Sequence, residues 1–113
     1  MGKLSRDKGK AFERWVANYF KDYGYDTRRS AQFCGNTGEA ADVVGLPGIH
    51  IECKAQERMC LYDWMDQAKR DSSKNGRKPC VIHKQNNKDK LVTMLLDDWI
   101  ELYREWEAGR EDE

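Results

Sequence analysis

Apolar residues recur along the chain first at helical spacing and then at strand spacing. Phe12, Trp15, Val16, Tyr19, Phe20 and Tyr23 follow the i, i+3, i+4, i+7, i+8, i+11 pattern of one helix face. That predicts an amphipathic helix over residues 6–23, stopped by Gly24. Asp26 to Ser30 reads as a short strand, and residues 31–39 as a loop rich in turn formers. Two strands follow, reversed at Leu46-Pro47-Gly48. In the second, Ile49, Ile51, Cys53 and Ala55 alternate with His50, Glu52, Lys54 and Gln56. Side chains of a strand change face at every residue, so the apolar set is expected on a core and the polar set facing the other way.

Leu61, Trp64, Met65 and Ala68 then predict the buried face of a helix over residues 61–75, ended by Asn75-Gly76. Cys80 to His83 and Leu91 to Leu96 read as two strands around the polar turn Asn86 to Asp89. Asp98 is expected to cap a last helix, with Glu101 completing a capping box and Trp99, Leu102, Tyr103 and Trp106 as its apolar stripe. The Trp residues thereby fall on apolar stripes expected to be buried. The order is helix, three strands, helix, two strands, helix. Disorder is expected only at Met1–Arg6 and after Gly109.

A chain of 113 residues supports one core, so residues 1–113 are expected to form one domain. With 35% charged residues against 39% hydrophobic, the chain reads as globular with a heavily charged surface. It carries no apolar run near the ~20 residues of a membrane span and no leader-like segment, so a cytoplasmic location is expected. Cys34, Cys53, Cys60 and Cys80 are 19, 7 and 20 residues apart, which is not the spacing of a zinc knuckle. They are read as reduced thiols, with Cys53 in the core.

The net charge of zero conceals segregation. Residues 1–30 hold eight basic and four acidic groups, and residues 66–90 hold eight and three. Residues 31–65 hold two and five, and residues 97–113 two and eight. Local potential rather than the total attracts a polyanion. Arg28, Arg29, Lys69, Arg70, Lys74, Arg77 and Lys78 are therefore candidate contacts to a nucleic-acid backbone, with residues 69–78 the first choice. Two solvated helix faces would explain the same counts. Asn36 and Thr37 could touch phosphate, although a plain connector accounts for them equally well.

The candidate chemistry lies at the paired strands. Glu52 and Lys54 share a face, roughly 6.6 Å apart at ~3.3 Å per residue, and Asp42 approaches on the neighbouring strand. Carboxylates and an ammonium gathered on one face are costly unless a metal ion or a polyanion joins them. On the first helix Glu13 lies about 20° beyond Phe20, at the border of the apolar stripe, where it can look toward Asp42 and Glu52 or simply pair with a Lys. Neither His50 nor His83 has a Cys or Ser partner at a meaningful spacing, so no triad is invoked.

Asp42, a gap of nine residues and then Glu52-Cys53-Lys54 resembles the signature of the PD-(D/E)XK nuclease superfamily. The order of elements resembles its small archaeal-type Holliday junction resolvases and their phage counterparts. Ala41 stands where the family often has Pro, a residue that stiffens the strand but ligates nothing. The resemblance implies a restriction-endonuclease-like α/β fold: an αβββαβ core with a mixed sheet of about five strands, flanked by helices and extended by one strand and a C-terminal helix. It implies Asp42, Glu52, the Cys53 backbone carbonyl and Glu13 as the metal set, with Gln67 as a further candidate on the second helix. It also implies a mobile loop at residues 31–39 and cleavage to 5′-phosphate and 3′-hydroxyl ends.

An all-oxygen ligand set suits Mg²⁺, with Mn²⁺ as a substitute, better than Zn²⁺. Lys54 is then placed to orient water or to stabilise transition-state charge. The expected function is a Mg²⁺-dependent DNA endonuclease resolving four-way junctions. A two-fold junction needs two paired cuts, which implies a homodimer. The alternatives are a phage-type nicking or general endonuclease of the same superfamily, and a nucleic-acid-binding module without catalysis.

Overall fold

Five strands form one mixed sheet with helices on both faces. The computed structural model describes residues 3–30 and 41–110. In chain order the elements are α1 (Lys3–Lys21), β1 (Arg28–Arg29), β2 (Val43–Val44), β3 (Ile49–Ala55), α2 (Leu61–Ser72), β4 (Lys78–Lys84), β5 (Leu91–Met94) and α3 (Leu96–Ala108). The sheet order is β1-β2-β3-β4-β5. β1, β2 and β3 pair antiparallel, β3 and β4 pair parallel, and β5 returns antiparallel to β4. This is the predicted order of elements and the restriction-endonuclease-like arrangement.

Each stop has a local cause. Gly24 takes φ +99° after α1, with its N–H donated to Lys21 and that of Tyr25 to Phe20. Gly45, between β2 and β3, has φ +105°, and a Cβ there would stand 2.1 Å from the Asp26 carbonyl oxygen. Only glycine lets the turn cross the chain entering β1. Thr27 ties that chain to α1 through a buried 2.6 Å bond from Oγ1 to the Ala17 carbonyl.

Phe12, Val16 and Ala17 of α1 pack on Val43, Ile51, Cys53, Cys80 and Ile82. Trp64, Met65 and Ala68 of α2 pack on Val81 across the opposite face. That second layer corrects the reading of β3 as core on one side. His50, Glu52 and His83 are buried as well, at 0%, 2% and 2% exposure. The cause is topological: parallel β3 and β4 require a crossover, and the crossover lays α2 over the polar face.

Several predicted details are also corrected. α1 begins inside the segment expected to be disordered, so Lys3–Arg6 are helical. Trp15, Tyr19 and Tyr23 lie on the surface, because α1 buries a stripe narrower than its apolar face. α2 ends at Ser72, with Gly76 at φ +67° closing the turn behind it. Leu95 and Leu96 leave the sheet; Leu95 is the N-cap of α3 and makes no side-chain cap bond. Asp98 therefore sits in the first turn, and Glu101 pairs with Lys78 instead of forming a capping box. No residue of α3 is buried, so Trp64 is the one Trp of the four in a core. The predicted loop with Cys34, Asn36 and Thr37, and the last three residues, lie outside the described residues. Among those described, Cys53, Cys60 and Cys80 are free thiols, and no helix is long and apolar enough to cross a membrane.

Candidate active site

The short strand β2 places Asp42 against β3. The Asp42 N–H donates to the Ile51 carbonyl at 2.8 Å, and its own carbonyl accepts from Ser30 N at 3.1 Å. Held by backbone at both ends, the residue turns Oδ2 onto the Cys53 N–H at 2.8 Å. This bond brings the first carboxylate to the backbone of the Glu52-Cys53-Lys54 run. Glu52 is buried on the α2 face, its Oε2 2.7 Å from His50 Nε2.

Glu13 reaches the same region from α1. Its Oε1 accepts from Arg29 Nε at 3.0 Å. Burial pushes the Glu13 carboxyl above its ordinary value and Asp42 adds to the rise, with the Arg29 bond opposing. Burial likewise raises Glu52; the His50 bond opposes it, and Asp42 and Asp71 push further upward. Asp42 thus acts electrostatically on both of the other carboxyls. Burial also drives the Cys53 thiol up, and the Cys80 thiol up to about 12, so both remain protonated core groups.

Lys54 is half-buried near the end of β3. It lines an open cleft of about 510 Å³ between the start of α1 and the chain after β3, together with Lys8, Gln56, Glu57 and Arg58. Of the basic residues singled out in the sequence, Lys69, Arg70 and Lys74 are exposed on or just beyond α2. Arg28 is exposed and lies 3.9 Å from Asp26. Arg29 is engaged with Glu13, and Lys78 pairs with Glu101 and, at 3.8 Å, with Asp98. Gln67 sits half-buried on α2, one turn before Asp71.

Asp71 is the acidic residue that the sequence reading missed. One ligand atom each of His50, Glu52 and Asp71 lies within 4.8 Å of the others. Its position, seven residues after Trp64 and three after Ala68, put it on the buried stripe of α2, and that spacing was the available signal.

The sequence model of the family described as "Phage putative PDDEXK endonuclease" matches residues 4–111. The chain belongs to this endonuclease family. Among solved structures, it is similar to the Holliday junction resolvase Hjc of the archaeal hyperthermophile Archaeoglobus fulgidus. The two share 22% identity with a TM-score of 0.58, over 77% of this chain and 72% of that one. At that identity the likeness concerns the fold, and the fold agrees. Among curated proteins none matches the chain.

The raised acids give a stability prediction. A carboxyl whose folded pKa lies above its unfolded value of about 4.5 weakens the fold while ionised, and the lost stability returns as pH falls toward 4.5. Buried His83 is shifted below its ordinary value and acts in the opposite sense, so a difference between two proteins isolates Glu52. In chelator, Glu52→Gln is expected to melt above wild type at pH 7.5, with the gap closing on acidification toward pH 5. Thermal melts across pH check this; a gap independent of pH would refute it.

Proposed function

We propose that this endonuclease is Mg²⁺-dependent and resolves four-way DNA junctions as a homodimer, with Glu13, Asp42, Glu52 and Lys54 as its site. The observation supporting the proposal is that Asp42 is fixed by its Oδ2 on the Cys53 N–H and pushes the carboxyls of both Glu13 and Glu52 upward, beside a cleft that Lys54 lines. Two carboxyls raised by burial, and further by a neighbouring carboxylate, are a donor set short of positive charge. A hard divalent cation fits such a set.

Asp42, Glu52 and the Cys53 carbonyl would hold the ion, and Glu13 would join them. Bound there, a divalent cation supplies charge neutralisation at the phosphate and a more acidic water. Arg29 anchors Glu13 and offsets part of its charge. Lys54 orients the attacking water and stabilises the charge that grows on the phosphoryl oxygens. Lys69, Arg70 and Lys74 hold the DNA backbone and set its register, and Arg28 and Arg77 are further candidate phosphate contacts. Mn²⁺ can replace Mg²⁺ in an oxygen set of this kind.

The dimer is supported by α3. Its 13 residues are at the length where an isolated helix is marginal in water. Yet Leu96, Trp99, Ile100, Leu102, Tyr103 and Trp106 are all at least 38% exposed. Leu91 and Val92 on neighbouring β5 are also exposed. At about 200 Å² for a large side chain, these open surfaces with Trp15 and Tyr19 amount to on the order of 1,000 Å², above the ~800 Å² per partner of a stable interface. Charge selects a second copy as the occupant. α3 is acidic, and the apolar groove between α1 and β5 carries Lys90, so two copies answer each other reciprocally.

Cleavage in Mg²⁺ of matched linear, nicked, flap and four-way substrates tests the function, and faster cutting of the four-way substrate is expected. For assembly, wild type should sediment as a dimer at micromolar concentration, whereas Trp99→Glu with Trp106→Glu should be monomeric and still folded, with a lower melting temperature that no longer depends on concentration. Wild type that is monomeric and still cuts would replace junction resolution with the nicking reading.

A further inference from the structure

His50 stands on β3 two residues before Glu52, on the same side of the sheet. It is fully buried and lies opposite Pro79 of β4. Its Nε2 is 2.7 Å from Glu52 Oε2, while Nδ1 is buried with no hydrogen-bond partner among the described residues. An ionised carboxylate only accepts, so in this contact Nε2 carries the proton. A position serving packing alone would favour an apolar side chain, which leaves no ring nitrogen desolvated and unpaired. The imidazole is spent on a single polar contact, and that contact is a carboxylate of the proposed metal set.

The Glu52 side chain does not fix its own carboxylate plane, because its terminal torsion is broad and two-fold. Asp71 increases the need for a constraint, since its carboxylate comes within 4.8 Å of the Glu52 and His50 ligand atoms and repels Glu52. We propose that His50 is a positioning residue: by holding Oε2 of Glu52 it leaves Oε1 presented to the cation that Glu52 shares with Asp42. This rests on the metal-dependent reading above. The chemistry is that of a partner which orients a ligand and sets its affinity without touching the ion.

The test compares two substitutions of similar volume and polarity. In His50→Gln the side-chain amide nitrogen stands where Nε2 does; in His50→Asn it falls short, near the place of Nδ1. Binding of Mn²⁺ alone, without DNA, is followed by electron paramagnetic resonance, and thermal melts check the fold. His50→Gln is expected to bind within about threefold of wild type, and His50→Asn 10–100-fold more weakly, the range for loss of such a partner. Added Mn²⁺ should restore cleavage to His50→Asn. His50→Met, which fills the space without a donor, serves if His50→Asn does not fold, and the same weakening is expected.

The proposal is overturned if a folded His50→Asn or His50→Met binds Mn²⁺ like wild type, if His50→Gln is as weak as they are, or if wild type binds none. It is also overturned if wild type takes two Mn²⁺ and Asp71→Asn removes one, since His50 and Asp71 would then be ligands of a second ion. Binding is read without DNA, so a wild type that bound Mn²⁺ and cut nothing would refute the nuclease reading while the variants still decided the role of His50.

Discussion

Asp42→Asn and Glu52→Gln are each expected to reduce Mg²⁺-dependent cleavage by at least about 10³-fold, beyond the loss of a single neutral donor, because each removes a charged ligand. Both changes keep the shape of the side chain. In Asp42→Asn the amide oxygen can still accept from Cys53 N, the bond that now holds Oδ2 at 2.8 Å. In Glu52→Gln the side-chain oxygen can still face His50, and a buried charge that weakens the fold is gone. Folding should therefore survive where activity does not. Single-turnover cleavage in Mg²⁺, with a chelator control and melting curves for both variants, provides the measurement. Cutting that persists in either folded variant, or in excess chelator, would remove the metal site from this position.

Lys54→Ala should slow single-turnover cleavage by ~10²–10³-fold and change DNA affinity far less. Lys54 shares its strand with Glu52 but carries the opposite charge and opens to the cleft, so its contribution grows with the negative charge of the transition state. One phosphate contact among many carries only a small share of binding. Lys69→Ala with Arg70→Ala should do the reverse, since both residues are exposed on α2: weaker binding, a salt slope shallower by about 2, and a near-normal rate at saturating DNA. Binding titrations over a range of salt and single-turnover rates separate the two classes. Equal losses of rate and affinity in Lys54→Ala would make Lys54 an ordinary phosphate anchor and leave the chemistry to the carboxylates.

The sequence by itself determined the order of the elements, because period and length distinguish a helix face from a strand and Gly and Pro punctuate them. It determined the core face of β3, since Ile51 and Cys53 alternate, and the buried stripe of α2 at Trp64, Met65 and Ala68. It also offered Asp42 and the Glu52-Cys53-Lys54 run as candidates, which are local in the chain and joined by one strand pairing. What it could not settle depended on which surfaces meet. An aromatic stripe is equally legible whether it packs inside or waits for a partner, so only the tertiary structure decided that Phe12 and Val16 are covered while Trp15, Tyr19 and the whole face of α3 are not. A polar alternate set on a strand reads as solvated until a crossover helix lands on it. The landing of α2 buried His50 and Glu52 and brought Asp71 to them. Charge partners follow the same rule. Lys78 and Arg29 counted as cations in a basic block, and three-dimensional proximity paired them with Glu101 and Glu13, because ion pairing depends on distance in space and period does not encode it.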